Sequence, residues 1–144
     1  MASGASLFQE GFCATDNDQQ SGFLGFVSIG QRDPAAAAPD VVYKAARFVA
    51  YNNDTKTYGE VSEPRTRQIS VNNGKTSAVE SLIVVKKAKA EPEKCAARQY
   101  ELRTVAFSGN GMSTMLLISR RYDGTYKMPD ADLNAIIKSL RPLK

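Results

Sequence analysis

The sequence predicts an α+β fold in which an antiparallel β-sheet of about five strands has helices packed on its faces. Residues 82–85 and 115–118 are apolar throughout, so we expect two central strands that are covered on both sides. Residues 72–75 and 109–111 indicate hairpin turns, because their asparagines and glycines accept positive φ angles. Near the C-terminus, apolar residues recur at helical spacing, which predicts a helix that covers the sheet.

Five strands are predicted from these runs and turns. In chain order they span residues 23–29, 65–71, 78–87, 98–107 and 113–122. Residues 65–71 alternate only weakly between polar and apolar side chains, which is typical of an edge strand. Residues 1–20 are polar, so we expect a flexible lead-in there and a single domain over residues 21–144.

Two main helices are predicted. Asp33 and Pro34 suit the N-cap and the first position of an alanine-rich segment, and Pro39 is expected to interrupt it, so that the main helix spans about residues 40–52. The residues assigned to its buried stripe are Val41, Val42, Ala45, Phe48 and Val49. The second helix lies near the C-terminus and is stopped by Pro142. Its apolar stripe consists of Leu133, Ile136, Ile137 and Leu140.

The composition argues against most enzyme and cofactor classes. The chain contains no histidine, which removes the usual general base and the commonest metal ligand. Its net charge of +4 is mild and its basic residues are spread along the chain, so the sequence favours no nucleic-acid partner. We therefore expect no metal, no cofactor and no enzymatic activity. A hydrolase that uses a serine and a lysine is the less favoured alternative.

The two cysteines, Cys13 and Cys95, leave two interpretations open. They are unrelated thiols, as in a cytosolic protein, or they form one disulfide in an oxidising compartment. Both lie in polar segments, whereas buried structural thiols lie among apolar neighbours, and this favours the disulfide. On the chain-entropy model, closing so long a loop would stabilise the fold by about 4–5 kcal/mol.

The expected location follows from the cysteines and from the start of the chain. No stretch is apolar and long enough to span a bilayer, and residues 1–11 lack the charged start and apolar middle of a signal peptide. A cytoplasmic protein is one interpretation. Residues 1–4 (Met-Ala-Ser-Gly) instead resemble a leader added by cloning, so that an export signal or anchor would lie upstream. We expect an extracellular or cell-envelope location.

The closing segment Ile-Ile-Lys-Ser-Leu-Arg-Pro, residues 136–142, resembles the end of PsbP-like domains, a superfamily that includes the LpqN-like lipoproteins of mycobacteria. More narrowly, the chain resembles an actinobacterial extracytoplasmic domain of unknown function. The other matching features are Cys13, the strand at residues 22–30, the segment 33–46 and Cys95. The resemblance implies an αβα sandwich around an antiparallel sheet, export behind a lipid anchor or membrane helix, and a binding or structural role without catalytic residues.

Tyrosines indicate where a ligand could bind, although they suit core edges as well as recognition surfaces. The candidate binding residues are Tyr58, Tyr122, Tyr126 and Lys127. A pocket, if one exists, is expected where residues 55–64 meet residues 122–127. The expected function is that of a monomeric, non-enzymatic envelope domain that binds a protein or a small apolar ligand and reaches the membrane only through an upstream anchor. The alternative is an intracellular adaptor of the same fold with two free thiols.

Overall fold

The structure, a computed structural model, describes residues 2–8, 22–87, 98–122 and 127–142. This part of the chain contains nine strands and two helices. The strands are β1 (Ala2–Phe8), β2 (Gly22–Ser28), β3 (Tyr51–Asn52), β4 (Thr57–Tyr58), β5 (Glu60–Val61), β6 (Arg65–Val71), β7 (Thr76–Lys86), β8 (Gln99–Gly109) and β9 (Met112–Arg121). The helices are α1 (Pro34–Ala50) and α2 (Asp130–Ser139).

Seven of the strands form one sheet. Its order is β1-β2-β9-β8-β7, and both β5 and β6 pair with the remaining side of β7. All the described pairings are antiparallel, so the α+β class and the antiparallel sheet are confirmed. The sequence predicted about five strands in this sheet, and the structure has seven. The other two strands, β3 and β4, form a separate hairpin.

The two strands of the sheet that the sequence did not predict lie at its margins. β1 occupies residues 2–8, inside the segment that was expected to be a flexible lead-in, and pairs with β2 from Ala2 opposite Val27 to Phe8 opposite Gly22. β5 has only two residues. Marginal strands are held mainly by backbone hydrogen bonds, and the composition of a segment does not reveal those bonds.

The predicted hairpin turns are confirmed. Asn72 and Asn73 have φ angles of 54° and 53° between β6 and β7, and Asn110 has a φ of 54° between β8 and β9. Asparagine tolerates this left-handed region better than most residues. One turn fixes the register of β6 with β7 and the other that of β8 with β9, and the register decides which side chains of paired strands share a face of the sheet.

Helix α1 is continuous, and the expected interruption at Pro39 is wrong. Asp33 caps the helix as predicted, with its Oδ1 accepting a hydrogen bond from the Ala35 amide at 3.0 Å. Pro39 removes the backbone bond that the carbonyl of Ala35 would accept. Because Ala35 lies exposed in the first turn, water can replace that bond.

Small side chains bring α1 close to the sheet. Its buried residues are Ala37, Ala38, Val42, Ala46 and Ala50. Three of them form a core cluster with Ile83, Val85 and Leu102 of β7 and β8. Phe48, which the sequence assigned to the buried stripe, is instead 85% exposed. The alanines mark the buried side, because a helix that packs closely on a sheet has no room for bulky residues there.

Helix α2 covers the other face of the sheet. Successive residues of a strand point to opposite faces. In β8, Leu102 clusters with α1, whereas Val105 and Phe107 cluster with α2. The predicted stripe of α2 enters this second core, where Leu133 and Ile137 are buried.

Candidate binding sites

The structure separates the tyrosines that the sequence proposed as binding residues. Tyr58 lies in β4, in contact with the C-terminal part of α1. Tyr122 follows β9, and the Nζ of Lys127 lies 5.3 Å from the centroid of its ring. Only Gly59 separates Tyr58 from β5, and Tyr122 directly follows β9. Because β8 and β7 lie between β9 and β5 in the sheet, the two tyrosines adjoin strands that are not neighbours. Tyr126 is outside the described residues.

Five exposed side chains of α1, β3 and β4 form what we call the aromatic surface. They are Tyr43, Arg47, Phe48, Tyr51 and Tyr58. Within α1, Tyr43 and Arg47 are four residues apart and therefore lie on the same side of the helix. Phe48 follows Arg47 and is exposed, and Tyr51 follows the last helical residue, Ala50.

The β3–β4 hairpin places Tyr58 against this side of the helix. In its turn, the Oδ1 of Asn52 accepts hydrogen bonds from two backbone amides, at 2.9 and 3.1 Å. The amide of Gly59 then donates to the carbonyl of Ala50 at 2.9 Å, which returns the chain to the end of α1. Tyr58 is thereby paired directly with Tyr51 in the hairpin register.

Within the aromatic surface, Arg47 and two tyrosines form a stack. The Cζ of Arg47 lies 3.7 Å from the centroid of the Tyr58 ring. The rings of Tyr51 and Tyr58 have centroids 5.1 Å apart and are tilted by 52°. Such a cation–π contact is worth about 0.5–1 kcal/mol at an exposed site. Arg47 makes no ion pair with a described residue, so its charge remains available to a ligand.

A second group of polar side chains lies on the α2 face of the sheet, and we call it the charge ladder. In spatial order it consists of Arg67, Glu80, Arg103, Glu101, Arg120 and Asp130. Its ion pairs cross β6, β7, β8 and β9 and reach the first turn of α2. The shortest nitrogen–oxygen distances between successive members lie between 2.7 and 3.1 Å.

The middle of the ladder is buried and paired. The side chains of Glu101 and Arg120 are only 5% and 4% exposed. Glu101 accepts hydrogen bonds from Arg103 and Arg120, and Arg120 also donates to the carbonyl of Met128 at 2.9 Å. Removing one partner of such a pair leaves a buried charge without compensation.

The contacts at the α2 end of the ladder keep both Arg120 and Asp130 in their charged forms. Burial alone would lower the pKa of Arg120, but hydrogen bonds to Glu101 and Asp130 and the charges of both carboxylates outweigh it, so the pKa is raised. The hydrogen bond from Arg120 lowers the pKa of Asp130, and the charges of Arg120 and Lys127 lower it further. Both groups therefore stay charged near neutral pH, which suits structural pairing or ion binding better than proton transfer.

Sequence analysis did not identify the ladder, although a signal was present. Glu80 and Arg120 lie inside the two strands that were predicted to be central, and Glu101 and Arg103 lie inside a third predicted strand. A charge without a partner is costly in such a strand, so charges of both signs in neighbouring strands indicate cross-strand pairs. Which residues pair depends on the register, which the sequence pattern does not supply.

Three of the clefts on the described surface differ in lining and size. One, of about 540 Å³, is lined by residues of β6, β7, β8 and the start of α1. A cleft of about 420 Å³ is lined in part by Phe26 and Met112. The third, of about 240 Å³, lies over the β6 end of the charge ladder. None of these three clefts is lined by Tyr58 or Tyr122, where the sequence predicted a pocket.

Within residues 2–8, 22–87, 98–122 and 127–142, no three acidic or cysteine side chains converge as a metal site. Neither α1 nor α2 is long and apolar enough to cross a membrane. The chain belongs to the family described as a domain of unknown function (DUF8017), whose family model matches residues 1–144. A search of curated proteins finds no match.

Proposed function

We propose that this chain is a non-enzymatic domain of the cell envelope that binds a partner protein through its aromatic surface. The observation that carries this proposal is Phe48, which is 85% exposed and directly follows Arg47, the residue that contacts the ring of Tyr58. Burying a phenylalanine side chain is worth about 1.5–3 kcal/mol. Phe48 contributes little of that to the fold, so a partner that covers it gains this free energy on binding.

The shape and composition of the aromatic surface favour a protein over a small ligand. The surface is the outward side of a helix, whereas small molecules bind in clefts that bury most of their area. Tyrosine and arginine are enriched among the residues that dominate protein–protein binding energy. The stacking of Arg47 on Tyr58 also reduces the side-chain entropy that binding would otherwise remove.

Site-specific crosslinking tests this proposal. A photoreactive phenylalanine analogue is placed at position 48, in cells that produce the protein, and at the exposed Asn134 of α2 as the matched control. We expect one discrete protein adduct from position 48 and none of that mass from position 134. The purified partner is then expected to bind the Phe48→Ser and Tyr58→Ser variants about tenfold or more weakly, and the Asn134→Ser variant with unchanged affinity.

Two outcomes would contradict the proposal. The first is an adduct of equal yield from both positions, which would indicate random collision. The second is a crosslinked partner whose affinity does not change in the Phe48→Ser variant. Circular dichroism of the variants provides the folding control, since Phe48 and Tyr58 lie outside the buried core.

The cleft of about 420 Å³ favours a second candidate function, the binding of a small apolar ligand. Phe26, Val27 and Met112 contribute apolar lining, and methionine adapts to ligands of different shape. An apolar fluorescent dye is expected to bind saturably and to lose its signal in the Met112→Glu variant. The Phe48→Ser variant serves as the control. A signal that survives Met112→Glu would assign the dye to another surface.

We also propose that the domain is exported and carries a disulfide between Cys13 and Cys95, both of which are outside the described residues. The described strands support this pairing. Residues 9–21 connect β1 to β2, and residues 87–98 connect β7 to β8. Through the register of β2, β9 and β8, the starts of β2 and β8 lie at the same end of the sheet. A disulfide requires Cα atoms within about 7 Å, which connections from the same end permit.

A thiol titration of the unfolded, unreduced protein tests the disulfide. We expect essentially no reactive thiol before reduction and two after it. Two reactive thiols before reduction would contradict the disulfide and favour an intracellular adaptor. The finer fold assignment, an αβα sandwich of the PsbP-like superfamily, is also a proposal, and it is supported by α1 and α2 packing against alternate residues of β8.

A further inference from the structure

The charge ladder ends, near the edge strand β6, in the cleft of about 240 Å³, which we call the arginine cleft. Its lining residues are Arg65, Thr66, Arg67, Glu80, Leu82 and Arg103. Arg65 lies opposite Leu82 in the register, and Leu82 lies opposite Arg103, so the two arginines flank Leu82 on one face. Because α1 packs on the other face, the arginine cleft and the aromatic surface lie on different sides of the sheet.

The arginines of this cleft have more hydrogen-bond donors than the protein uses. Glu80 is the one carboxylate that lines it, and both of its oxygens are engaged. Oε1 accepts from the Nε of Arg67 at 2.8 Å, and Oε2 accepts from the Nη1 of Arg103 at 2.9 Å. A guanidinium carries five N–H donors. Arg65 makes no ion pair with a described residue, so its donors are directed to no carboxylate of the described chain.

The cleft also has an excess of positive charge. Its lining side chains carry three positive charges and one negative charge. Glu101, which is not one of the lining residues, balances part of the charge of Arg103. The net positive charge of the cleft therefore lies between one and two elementary charges. Arg103 is 90% buried, since its side chain is 10% exposed, and a charge with so little hydration interacts strongly with an anion.

We propose that the arginine cleft binds a phosphate group, either as the free ion or as a monoester whose remaining part stays outside the cleft. A phosphate monoester carries about −1.5 to −2 charges at neutral pH, which matches the excess. The planar guanidinium fork fits pairs of phosphate oxygens. The volume of the cleft is also below the roughly 300–1,000 Å³ that is typical of sites for drug-sized ligands, so the cleft has room for one phosphate group. This site is independent of the proposed docking of a protein on the aromatic surface.

Calorimetric titration at low ionic strength tests the site, with inorganic phosphate, glycerol 3-phosphate and acetate as probes. We expect saturable binding of both phosphates and at least tenfold weaker binding of acetate. Arg65→Gln and Arg67→Gln are each expected to weaken phosphate binding about tenfold, the effect of losing one charge-assisted hydrogen bond. Arg141→Gln, an exposed arginine near the C-terminus, is the matched control and should change the affinity less than twofold.

The two phosphates distinguish the source of the ligand. Tighter binding of glycerol 3-phosphate indicates a phosphorylated metabolite or polymer, and tighter binding of inorganic phosphate indicates the free ion; either result supports the site. Three results would overturn it: no saturable binding of phosphate, acetate binding as tight as phosphate, or an Arg141→Gln loss equal to that of Arg65→Gln. Since Arg65 pairs with no described carboxylate, its variant keeps the ladder and the fold.

Discussion

The two faces of the sheet are covered in different ways. Under α1, the contact is apolar and close, with alanines of the helix against residues such as Ile83 and Leu102. On the α2 face, only part of the sheet is apolar, and the charge ladder occupies the rest from β6 to β9. An apolar contact tolerates small shifts because it is not directional. Each charge of the ladder, in contrast, depends on a particular partner in a particular register.

This difference predicts that the two faces respond differently to single substitutions. On the α1 face the main risk is added volume, because the interior is already densely packed. On the α2 face the main risk is a lost partner, because a buried charge without a counter-ion has neither water nor a pair to stabilise it. The ladder is therefore expected to contain the most sensitive positions, and the outward side of α1 the least sensitive.

The largest effect is predicted for Glu101, which lies between two buried arginines. In the Glu101→Gln variant, Arg103 and Arg120 lose the carboxylate that they share. We expect the free energy of unfolding to fall by about 3–5 kcal/mol, as for other buried pairs that lose one partner. Urea denaturation followed by circular dichroism measures this change.

The matched control for that prediction is Glu63→Gln, which makes the same chemical change at an exposed position. Its effect is expected to remain within about 0.5 kcal/mol. If Glu101→Gln changed the stability as little as Glu63→Gln does, the ladder would not be a stabilising network, and the contrast between the two faces would fail.

An intermediate effect is predicted on the α1 face, for Ala46→Leu. Ala46 is fully buried against Ile83 and its neighbours, so the larger side chain has no space and should lower the free energy of unfolding by about 1–3 kcal/mol. Phe48→Ala, two residues further along the same helix, is the control and should change stability by less than about 0.5 kcal/mol. Equal effects at both positions would mean that the helix is turned differently from the orientation described above.

Much of the fold could be predicted from local patterns. The turns around Asn73 and Asn110, the cap at Asp33 and the stripe of α2 all depend on residues close in sequence, and the structure confirms them. Phe48 was misassigned because hydrophobicity was taken as the mark of the buried side, whereas close helix–sheet contact selects alanine.

The charge ladder and the aromatic surface could not be predicted in the same way. The ladder joins residues of four strands and a helix, and its pairs exist only once the register is set. Similarly, the contact of Arg47 with Tyr58 depends on a short hairpin whose two strands have two residues each. Local sequence patterns carry little information on contacts of either kind.

The smallest effect is predicted at the exposed end of the ladder, and it depends on pH. The contact with Arg120 lowers the pKa of Asp130 below the ordinary value of 3.8. A carboxyl whose pKa is lower in the folded state stabilises the fold above its unfolded pKa, and this contribution is lost as the pH falls through the folded value. The stability difference between wild type and Asp130→Asn should therefore be present at neutral pH and shrink below pH 3.8.

Asp132→Asn distinguishes the contact with Arg120 from a general effect of charge at the start of α2. Asp132 lies in the same first turn but makes no ion pair with a described residue, so its variant removes only the interaction with the helix dipole. Because Asp130 is 73% exposed, the difference between the two variants at neutral pH should be small and should decrease with added salt. A difference that is independent of both pH and salt would show that Asp130 acts on the fold through packing, and the ladder would then end at Arg120.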